Sequence, residues 1–168
     1  MQHPPRLVPL ALLLFLALAV SAPPPGRAEP GPAPGDKERC PVCGMFVAKY
    51  QQWLARIRLA DGATLYFDGV KDLMVCRLEP GACGLTEAAR IEEIWVQDYY
   101  TLEWLDGRRA VYVIGSDVYG PMGHEFIPFA GREAAEAFRA DHHGQRILDF
   151  QAIDKPLVDS LRAGGRMR

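Results

Sequence analysis

The sequence predicts an α+β fold of two small ββαβ repeats with mostly antiparallel sheets, which follow an N-terminal signal segment. Three observations support this prediction. Short segments of alternating polarity recur along the chain, as in half-buried strands. Each half of the chain carries one helical pattern. A similar tripeptide precedes both helices, Phe67-Asp68-Gly69 in the first half and Phe129-Ala130-Gly131 in the second. The 168 residues suffice for one ordinary domain.

Residues 1–28 are predicted to form a secretory signal segment. Arg6 precedes an apolar stretch of 16 residues, 7–22, which is shorter than the roughly 20 that a spanning helix needs. Pro23 hinders cleavage after Ala22 because its ring restricts an extended substrate, so cleavage after Ala28 is the next candidate. Inefficient cleavage would leave a membrane tether. No cysteine near this stretch offers a lipid-attachment site, and we expect an exported, periplasmic protein.

The rest of the chain divides into a linker, a domain and a tail. Residues 29–39 are rich in Pro and Gly, which predicts an extended and unpacked linker. The folded domain is predicted over residues 40–153, with halves at about 40–103 and 104–153. Residues 154–168 are predicted to be a tail that begins as a short helix and then frays.

The first half reads as strand, strand, helix, strand. Asp61-Gly62 is a hairpin signal between the first two strands. The change from alternation to helical spacing comes at Val70, and Asp68 is the predicted N-cap. The predicted elements are strands at 53–59 and 63–67, a helix from Val70 onward, and a strand within 91–101.

The second half repeats this order after a turn at Asp106-Gly107. The predicted elements are strands at 110–115 and 124–129, an amphipathic helix within 131–143, and a strand at 146–153. His142 and His143 end the helix, where cations favour the helix dipole and Gly144 suits the C′ position. Capping is the favoured interpretation of these histidines, and auxiliary metal ligation is the alternative.

Charge and motifs exclude several classes of function. Beyond residue 28 the chain has 17 basic and 21 acidic residues, so a net charge of -4 gives no electrostatic reason to expect nucleic-acid binding. No Ser-His-Asp order, phosphate loop or paired-carboxylate pattern supports an enzyme. The acids Asp68, Asp72, Asp117 and Glu125 are scattered along the chain.

Four cysteines remain to be explained. Cys76 and Cys83 flank a Pro-Gly loop, and in an exported protein their spacing allows a disulfide. An inert buried thiol at Cys76, on the predicted helix, is the other interpretation.

The motif Cys40-Pro41-Val42-Cys43 admits three interpretations. A thioredoxin-like redox pair usually follows a strand and opens a helix, whereas a Pro-rich linker precedes this motif. A structural zinc knuckle suits Gly44, which allows the tight turn that directs amide N–H groups at thiolates. A knuckle needs a second pair of Cys or His at matching spacing, and the sequence offers no good one. A softer metal is the third interpretation.

Two methionines in turn-like sequence support the softer metal. Met45 follows Cys43-Gly44, and Met122 lies two residues before His124. In an extended segment, Met122 and His124 would face the same side. Ordinary loop packing is the alternative role for each methionine. Thiolate, thioether and imidazole together select Cu(I), whereas Mg and Ca need oxygen ligands.

Several motifs in a fixed order resemble the NosL family, the accessory proteins of nitrous oxide reductase. They are CPVCGMFVAKY, FDGVKDLM, DYYT and GSDVYGPMGHE, and the resemblance runs from about residue 40 to 153. It implies a two-lobed ββαβ architecture. Members are typically lipoproteins, whereas this chain shows no lipid-attachment cysteine. The motif residues of the family fall on Cys40, Cys43, Gly44 and Met45 and on Pro121, Met122 and Gly123.

The resemblance implies a non-catalytic Cu(I) chaperone on the outer side of the cytoplasmic membrane. It would deliver copper for the copper–sulfur active site of nitrous oxide reductase, beside an ABC-type membrane transporter and a periplasmic maturation protein. We expect Met122 and Cys43 to be the main ligands, followed by Met45, His124 and Cys40. A thiol–disulfide oxidoreductase that uses Cys40 and Cys43 is the alternative.

Overall fold

Two separate antiparallel sheets, whose strands follow a similar order, form the framework of the protein. The computed structural model describes residues 31–164, so the predicted signal segment lies outside the described residues. The first half contains β1, β2, α1, β3 and β4, at Ala55–Leu59, Thr64–Phe67, Val70–Leu78, Ile91–Gln97 and Trp104–Asp106. The second contains β5, β6, α2, β7 and α3, at Val111–Ile114, Ile127–Phe129, Arg132–Asp141, Arg146–Asp149 and Lys155–Arg162. Among the described residues, no helix has the length and apolar content needed to cross a membrane.

The strand order confirms the predicted repeat. The first sheet has the order β2-β1-β3-β4 and the second has the order β6-β5-β7, with antiparallel pairing throughout. In both sheets the first strand of the repeat lies between its hairpin partner and the strand that follows the helix. The register sets Ile57 opposite Leu65 and Ile94, so apolar side chains from three strands share one face. The α+β fold of two ββαβ units is therefore as predicted.

The two halves share a hydrophobic core. The side chains on α1 are buried along nearly its whole length, because the helix packs between the first sheet and α3. In β5, the residues Tyr112 and Ile114 belong to this shared core, whereas Val113 packs beneath α2 with Phe129. This alternation follows from the period of two in a strand. Neither half closes its core alone, and the N-terminal end of α1 therefore lies close to loops of the second half.

The C-terminal segment begins with the short helix that the sequence predicts, and this helix is packed against the core more closely than expected of a tail. Residues 155–162 form α3, and Leu157, Val158 and Leu161 are buried against the shared core. The N-cap residue Asp154 accepts a hydrogen bond from the Leu157 backbone N–H, 3.0 Å long. The apolar residues fall at helical spacing, and this packing holds the segment despite the Gly- and Arg-rich sequence that follows.

Two boundaries in the first half also differ from the prediction. The short strand β4 pairs with β3, with Leu105 opposite Val96. The first sheet thus extends past the division predicted near residue 103. The predicted linker is partly packed, since the Tyr66 hydroxyl donates a hydrogen bond of 2.8 Å to the Pro32 carbonyl. Arg39 also forms an antiparallel bridge with Phe46, which brings the linker to the first of two sulfur-bearing loops.

Candidate metal centre

Residues 40–45, here called the thiol loop, fold into a tight knuckle. The Cys40 backbone N–H donates to the Met45 carbonyl at 2.9 Å, and the Gly44 N–H donates to the Cys40 carbonyl at 2.8 Å. Gly44 has a φ of +79°, a value that glycine adopts without strain. The backbone N–H groups of Val42 and Cys43 point at the Cys40 sulfur, as the sequence analysis expects of a knuckle. The loop holds both thiols on one side.

Two carboxylates complete this arrangement, Asp72 in the first turn of α1 and Asp68 just before the N-cap of that helix. The Cys40 thiol donates a hydrogen bond to Asp72 Oδ2 across 3.3 Å, and the Cys43 thiol donates to Asp68 Oδ1 across 3.2 Å. Asp68 and Asp72 therefore both face the thiol loop from the start of α1. The potential ligand atoms of the four residues all lie within 4.8 Å of one another.

The observed positions of Asp68 and Asp72 contradict two predictions from the sequence. Asp68 is not the N-cap of α1, since Gly69 holds that position without a side-chain cap. Nor are these acids scattered, because both face the cysteines. Capping preference is a local signal, whereas the contact with a thiol 25 residues away depends on the tertiary fold. The spacing of four between the two acids gives no helical signal, because Asp68 precedes the N-cap of α1.

The electrostatic environment keeps both thiols protonated at neutral pH. Burial is the main cause that raises the pKa of Cys43 to about 12; the Met45 backbone N–H opposes this rise, and hydrogen bonds to Asp68 and Asp72 add to it. Burial and the charge of Asp72 raise the pKa of Cys40 even more strongly. Cys40 is buried, whereas Cys43 remains partly accessible. In this state the thiols are hydrogen-bond donors to the carboxylates.

Residues 120–123, here called the methionine turn, form the second sulfur-bearing loop. Gly120 and Gly123 exchange backbone hydrogen bonds of 2.8 and 3.1 Å. Gly123 has a φ of +88°, so the tight turn again depends on glycine. Met122 lies at the tip of this turn and is 49% exposed, which is far more than a core methionine shows.

Lys71 links the methionine turn to α1 by hydrogen bonds. Its ammonium donates to the Met122 carbonyl at 2.7 Å and to the His124 carbonyl at 2.8 Å. Lys71 is itself only 3% exposed. It lies between Asp68 and Asp72 in the sequence, so one turn of helix contacts the thiol loop and the methionine turn at once.

Glu125 forms a further contact between the start of α1 and the segment that follows the methionine turn. Its Oε1 accepts hydrogen bonds from the Lys71 backbone N–H at 2.5 Å and from the Phe126 N–H at 2.9 Å. The carboxyl group thus takes the place of a side-chain cap at the start of α1. A Cβ at Gly69 would lie 2.3 Å from Glu125 Oε2, so this approach requires glycine. Burial raises the pKa of Glu125 to about 8, although Lys71 lowers it.

The predicted ligands thus fall into two groups on one helix end. Cys40, Cys43 and Met45 share the thiol loop, and the thiols contact Asp68 and Asp72. Met122 and His124 share the loop held by Lys71. His124 is buried, with its ring centroid 4.8 Å from that of Tyr119.

The other cysteines and histidines have separate roles. Cys76 and Cys83 form a disulfide, with a Cα–Cα distance of 5.3 Å, that joins the end of α1 to the following turn. The His142 ring stacks on Phe138 at a centroid distance of 4.4 Å and lies 3.2 Å from Asp117. These contacts favour a structural role at the end of α2.

The residue with positive φ at the end of α2 differs from the predicted one. His143 takes the left-handed conformation, with a φ of +54°, and occupies the C′ position that the sequence assigns to Gly144. The Gly144 N–H closes the helix end by donating to the Arg139 carbonyl at 2.9 Å. A Cβ at Gly144 would lie 2.6 Å from Val113 Cγ1, so close packing is what requires glycine there.

Known proteins resemble this chain in sequence and in fold. A family model described as NosL matches residues 33–158. The copper-binding lipoprotein NosL of Stutzerimonas stutzeri is 28% identical over 142 residues, which cover 77% of this chain and 70% of that protein. The crystal structure of the copper chaperone NosL from Shewanella denitrificans aligns with a TM-score of 0.64 at 22% identity, covering 79% of this chain and 99% of that one.

The solution structure of apo-NosL from Achromobacter cycloclastes aligns with a TM-score of 0.47 at 29% identity, covering 62% of this chain and 87% of that one. The likeness to the crystal structure establishes the shared fold. The family model covers most of the chain, including the thiol loop, α1 and the methionine turn. The chain therefore belongs to the NosL family.

Proposed function

We propose that the protein is a periplasmic Cu(I) chaperone that carries copper without catalysing a reaction. Two relatives are named for copper, one as a copper-binding lipoprotein and one as a copper chaperone. The observation that carries the proposal is that the start of α1 contacts both sulfur-bearing loops. Asp68, just before the helix, and Asp72 contact the thiol loop, and Lys71 contacts the methionine turn. The proposal is that one ion at this helix end binds sulfur from both halves of the chain.

The available ligands suit copper in its monovalent state. Thiolate and thioether sulfur favour Cu(I) over harder ions. Cys43 and Met122 are the main proposed ligands, because Cys43 is the more accessible of the two thiols and Met122 is the exposed sulfur of the methionine turn. Met45, His124 and Cys40 complete the set. Binding releases the Cys43 proton, so copper affinity depends on pH.

The proposed destination of the copper is the copper–sulfur active site of nitrous oxide reductase. The proposed partners are that enzyme, an ABC-type membrane transporter and a periplasmic maturation protein. One relative is named a lipoprotein, whereas the first cysteine of this sequence is Cys40, a member of the candidate site. We therefore propose that a fraction with an uncleaved signal segment supplies any membrane attachment.

Competition with a Cu(I) chelator under anaerobic conditions tests the proposal. We expect one tightly bound copper per chain. Met122→Ala should weaken this binding at least about tenfold, or ~1.4 kcal/mol, because it removes a main ligand. Met74→Leu is the matched control, since Met74 is a fully buried methionine of α1. An unchanged affinity in Met122→Ala would exclude Met122 as a ligand.

A thiol–disulfide oxidoreductase is the competing function. Reactive thiols in such enzymes have a lowered pKa, whereas burial raises the pKa of Cys43 to about 12 here. The proposed carrier should therefore show negligible catalysis of disulfide reduction. An oxidoreductase would show turnover that depends on Cys43 and is unaffected by Met122→Ala.

A further inference from the structure

We propose that Arg39 is a positioning residue of the candidate metal centre, which holds the peptide group between Gly44 and Met45 so that its N–H faces the Cys43 sulfur. This inference rests on the proposed copper function and deepens it, because it names a residue that acts on a ligand without binding the ion. Arg39 directly precedes Cys40, at the end of the segment that the sequence predicts as an unpacked linker. The end of that segment is therefore a support of the centre.

The base of the thiol loop brings the Arg39 side chain onto the Phe46 ring. The two residues form an antiparallel bridge, and beside it the Cys40 N–H donates to the Met45 carbonyl at 2.9 Å. Side chains that face each other across such a bridge lie on the same side of it. The guanidinium carbon of Arg39 is 3.8 Å from the centre of the Phe46 ring, which is the geometry of a cation–π contact. The arginine therefore lies along the loop although it is exposed to solvent.

The tip of the same side chain binds the turn of the thiol loop. Arg39 Nη1 donates a hydrogen bond of 2.6 Å to the Gly44 carbonyl, which is the short length typical of a charged donor. This carbonyl and the Met45 N–H belong to one planar peptide group, so the direction of one fixes the direction of the other. The Met45 N–H in turn donates to the Cys43 sulfur. Arg39 thus acts on a proposed ligand through a single rigid peptide group.

The contacts of Arg39 serve the thiol loop and not an ion pair. Within residues 31–164, no carboxylate lies within ion-pair distance of this guanidinium. Its partners are the Gly44 carbonyl and the Phe46 ring. Groups that orient a metal ligand from outside the coordination shell typically change metal affinity by about 10–100-fold when they are removed. Loss of Arg39 should therefore affect copper binding more than it affects the stability of the fold.

Cu(I) affinity of two Arg39 variants, measured against a chelator without oxygen, tests the inference. Arg39→Gln should weaken Cu(I) binding at least about tenfold, because the Gly44 carbonyl loses its charged donor. Arg39→Lys should restore most of the affinity, since an ammonium group can still donate to that carbonyl. Arg108→Gln is the matched control. Arg108 also donates to backbone carbonyls, those of Ile91 and Glu92, at 3.1 and 2.8 Å, and its loss should leave Cu(I) affinity unchanged.

Amide hydrogen exchange on the same proteins without copper gives a second readout. In Arg39→Gln the Met45 N–H should exchange at least about fivefold faster, because its peptide group is no longer held, and the Gly123 N–H in the methionine turn should be unaffected. The midpoint of urea denaturation should stay that of the original protein, since Arg39 is exposed. A merely structural role would instead lower this midpoint together with the Cu(I) affinity.

The two readouts separate failure of this inference from failure of the copper proposal. Unchanged Met45 exchange and unchanged Cu(I) affinity in Arg39→Gln would overturn the role of Arg39 alone. An equal loss of affinity in Arg108→Gln, or a loss that Arg39→Lys does not relieve, would also overturn it, because the effect would then be one of general charge or of folding. Faster Met45 exchange in Arg39→Gln, with no tight Cu(I) binding by the original protein, would contradict the copper proposal and leave the contact of Arg39 with the loop supported.

Discussion

At the scale of single residues, the site depends on carboxyl groups held away from water. Asp68 and Asp72 accept hydrogen bonds from the two thiols, and Glu125 accepts two backbone N–H groups at the start of α1. A buried carboxyl group is tolerated when donors satisfy it. Each of these acids therefore fixes the position of a loop that carries a proposed ligand.

Glu125 should make stability depend on pH. Its folded-state pKa is raised to about 8 from 4.5, so between about pH 5 and pH 8 the folded protein keeps a proton that the unfolded chain has lost. The free energy of unfolding should therefore fall as pH rises through this range, with a slope of up to about 1.4 kcal/mol per pH unit.

Urea denaturation across this pH range, compared between the original protein and Glu125→Gln, measures the effect. Glutamine keeps an acceptor for both N–H groups and does not titrate. In this variant the fall in the free energy of unfolding between about pH 5 and pH 8 should therefore be smaller by the contribution of Glu125. Parallel stability curves for the two proteins would show that Glu125 is not protonated in the folded state.

At the scale of elements, α1 is the common support of both sulfur-bearing loops. Its first turn follows β2 directly, so the first sheet fixes its start, and its buried length fixes its direction. The thiol loop reaches it through Asp68 and Asp72, and the methionine turn reaches it through Lys71. Movement of either loop relative to α1 would change the distance between the proposed sulfur ligands.

Lys71→Met should loosen the methionine turn. It removes two charge-assisted hydrogen bonds and leaves the carbonyls of Met122 and His124 without this donor. We expect a loss of about 2 kcal/mol or more in the free energy of unfolding. Amide exchange at Gly120 and Gly123 should be faster, and Cu(I) affinity should be lower.

Lys155→Met is the matched control for this change. The Lys155 ammonium contacts Glu79 at 2.7 Å and Asp159 at 2.6 Å, but the side chain is 53% exposed. Exposed ion pairs contribute about 0–1 kcal/mol. Equal effects of the two substitutions on exchange at Gly120 and Gly123 would contradict the role of Lys71.

The element α3 provides a test of packing away from the site. Leu161 is 1% exposed and belongs to the shared core. Leu161→Ala should lower the free energy of unfolding by about 2–5 kcal/mol, whereas the exposed neighbour Arg162→Ala should change it by less than about 0.5 kcal/mol. Equal, small losses measured by urea denaturation would show that α3 does not pack against the shared core.

Local patterns predicted most elements, and contacts across the chain explain the errors. Alternation and helical spacing identified the two ββαβ units, because these features depend on neighbouring residues. Asp68 was assigned to a cap because its contact with Cys43 forms only in the tertiary fold. β4 escaped prediction because three residues carry too little pattern, and its pairing with β3 is what defines it.

At the scale of the whole molecule, the shared core explains how one site can draw on both halves. Tyr112 and Ile114 of the second sheet pack in the same core as α1. The contact between Lys71 and Glu125 crosses 54 residues of sequence, and no local signal in the sequence predicted it. The proposed copper site, which uses Cys43 from one half and Met122 from the other, therefore depends on stable packing of the two units.

A double-mutant cycle on Cu(I) affinity tests most directly whether Cys43 and Met122 bind the same ion. The four proteins are the original chain, Cys43→Ser, Met122→Ala and the double variant, each measured against a Cu(I) chelator without oxygen. If the ion is shared, either substitution alone breaks the site, so the loss in the double variant should fall short of the sum by at least about 1 kcal/mol. Losses that add to within about 0.5 kcal/mol would mean that the two sulfurs act independently, and would contradict a shared copper site.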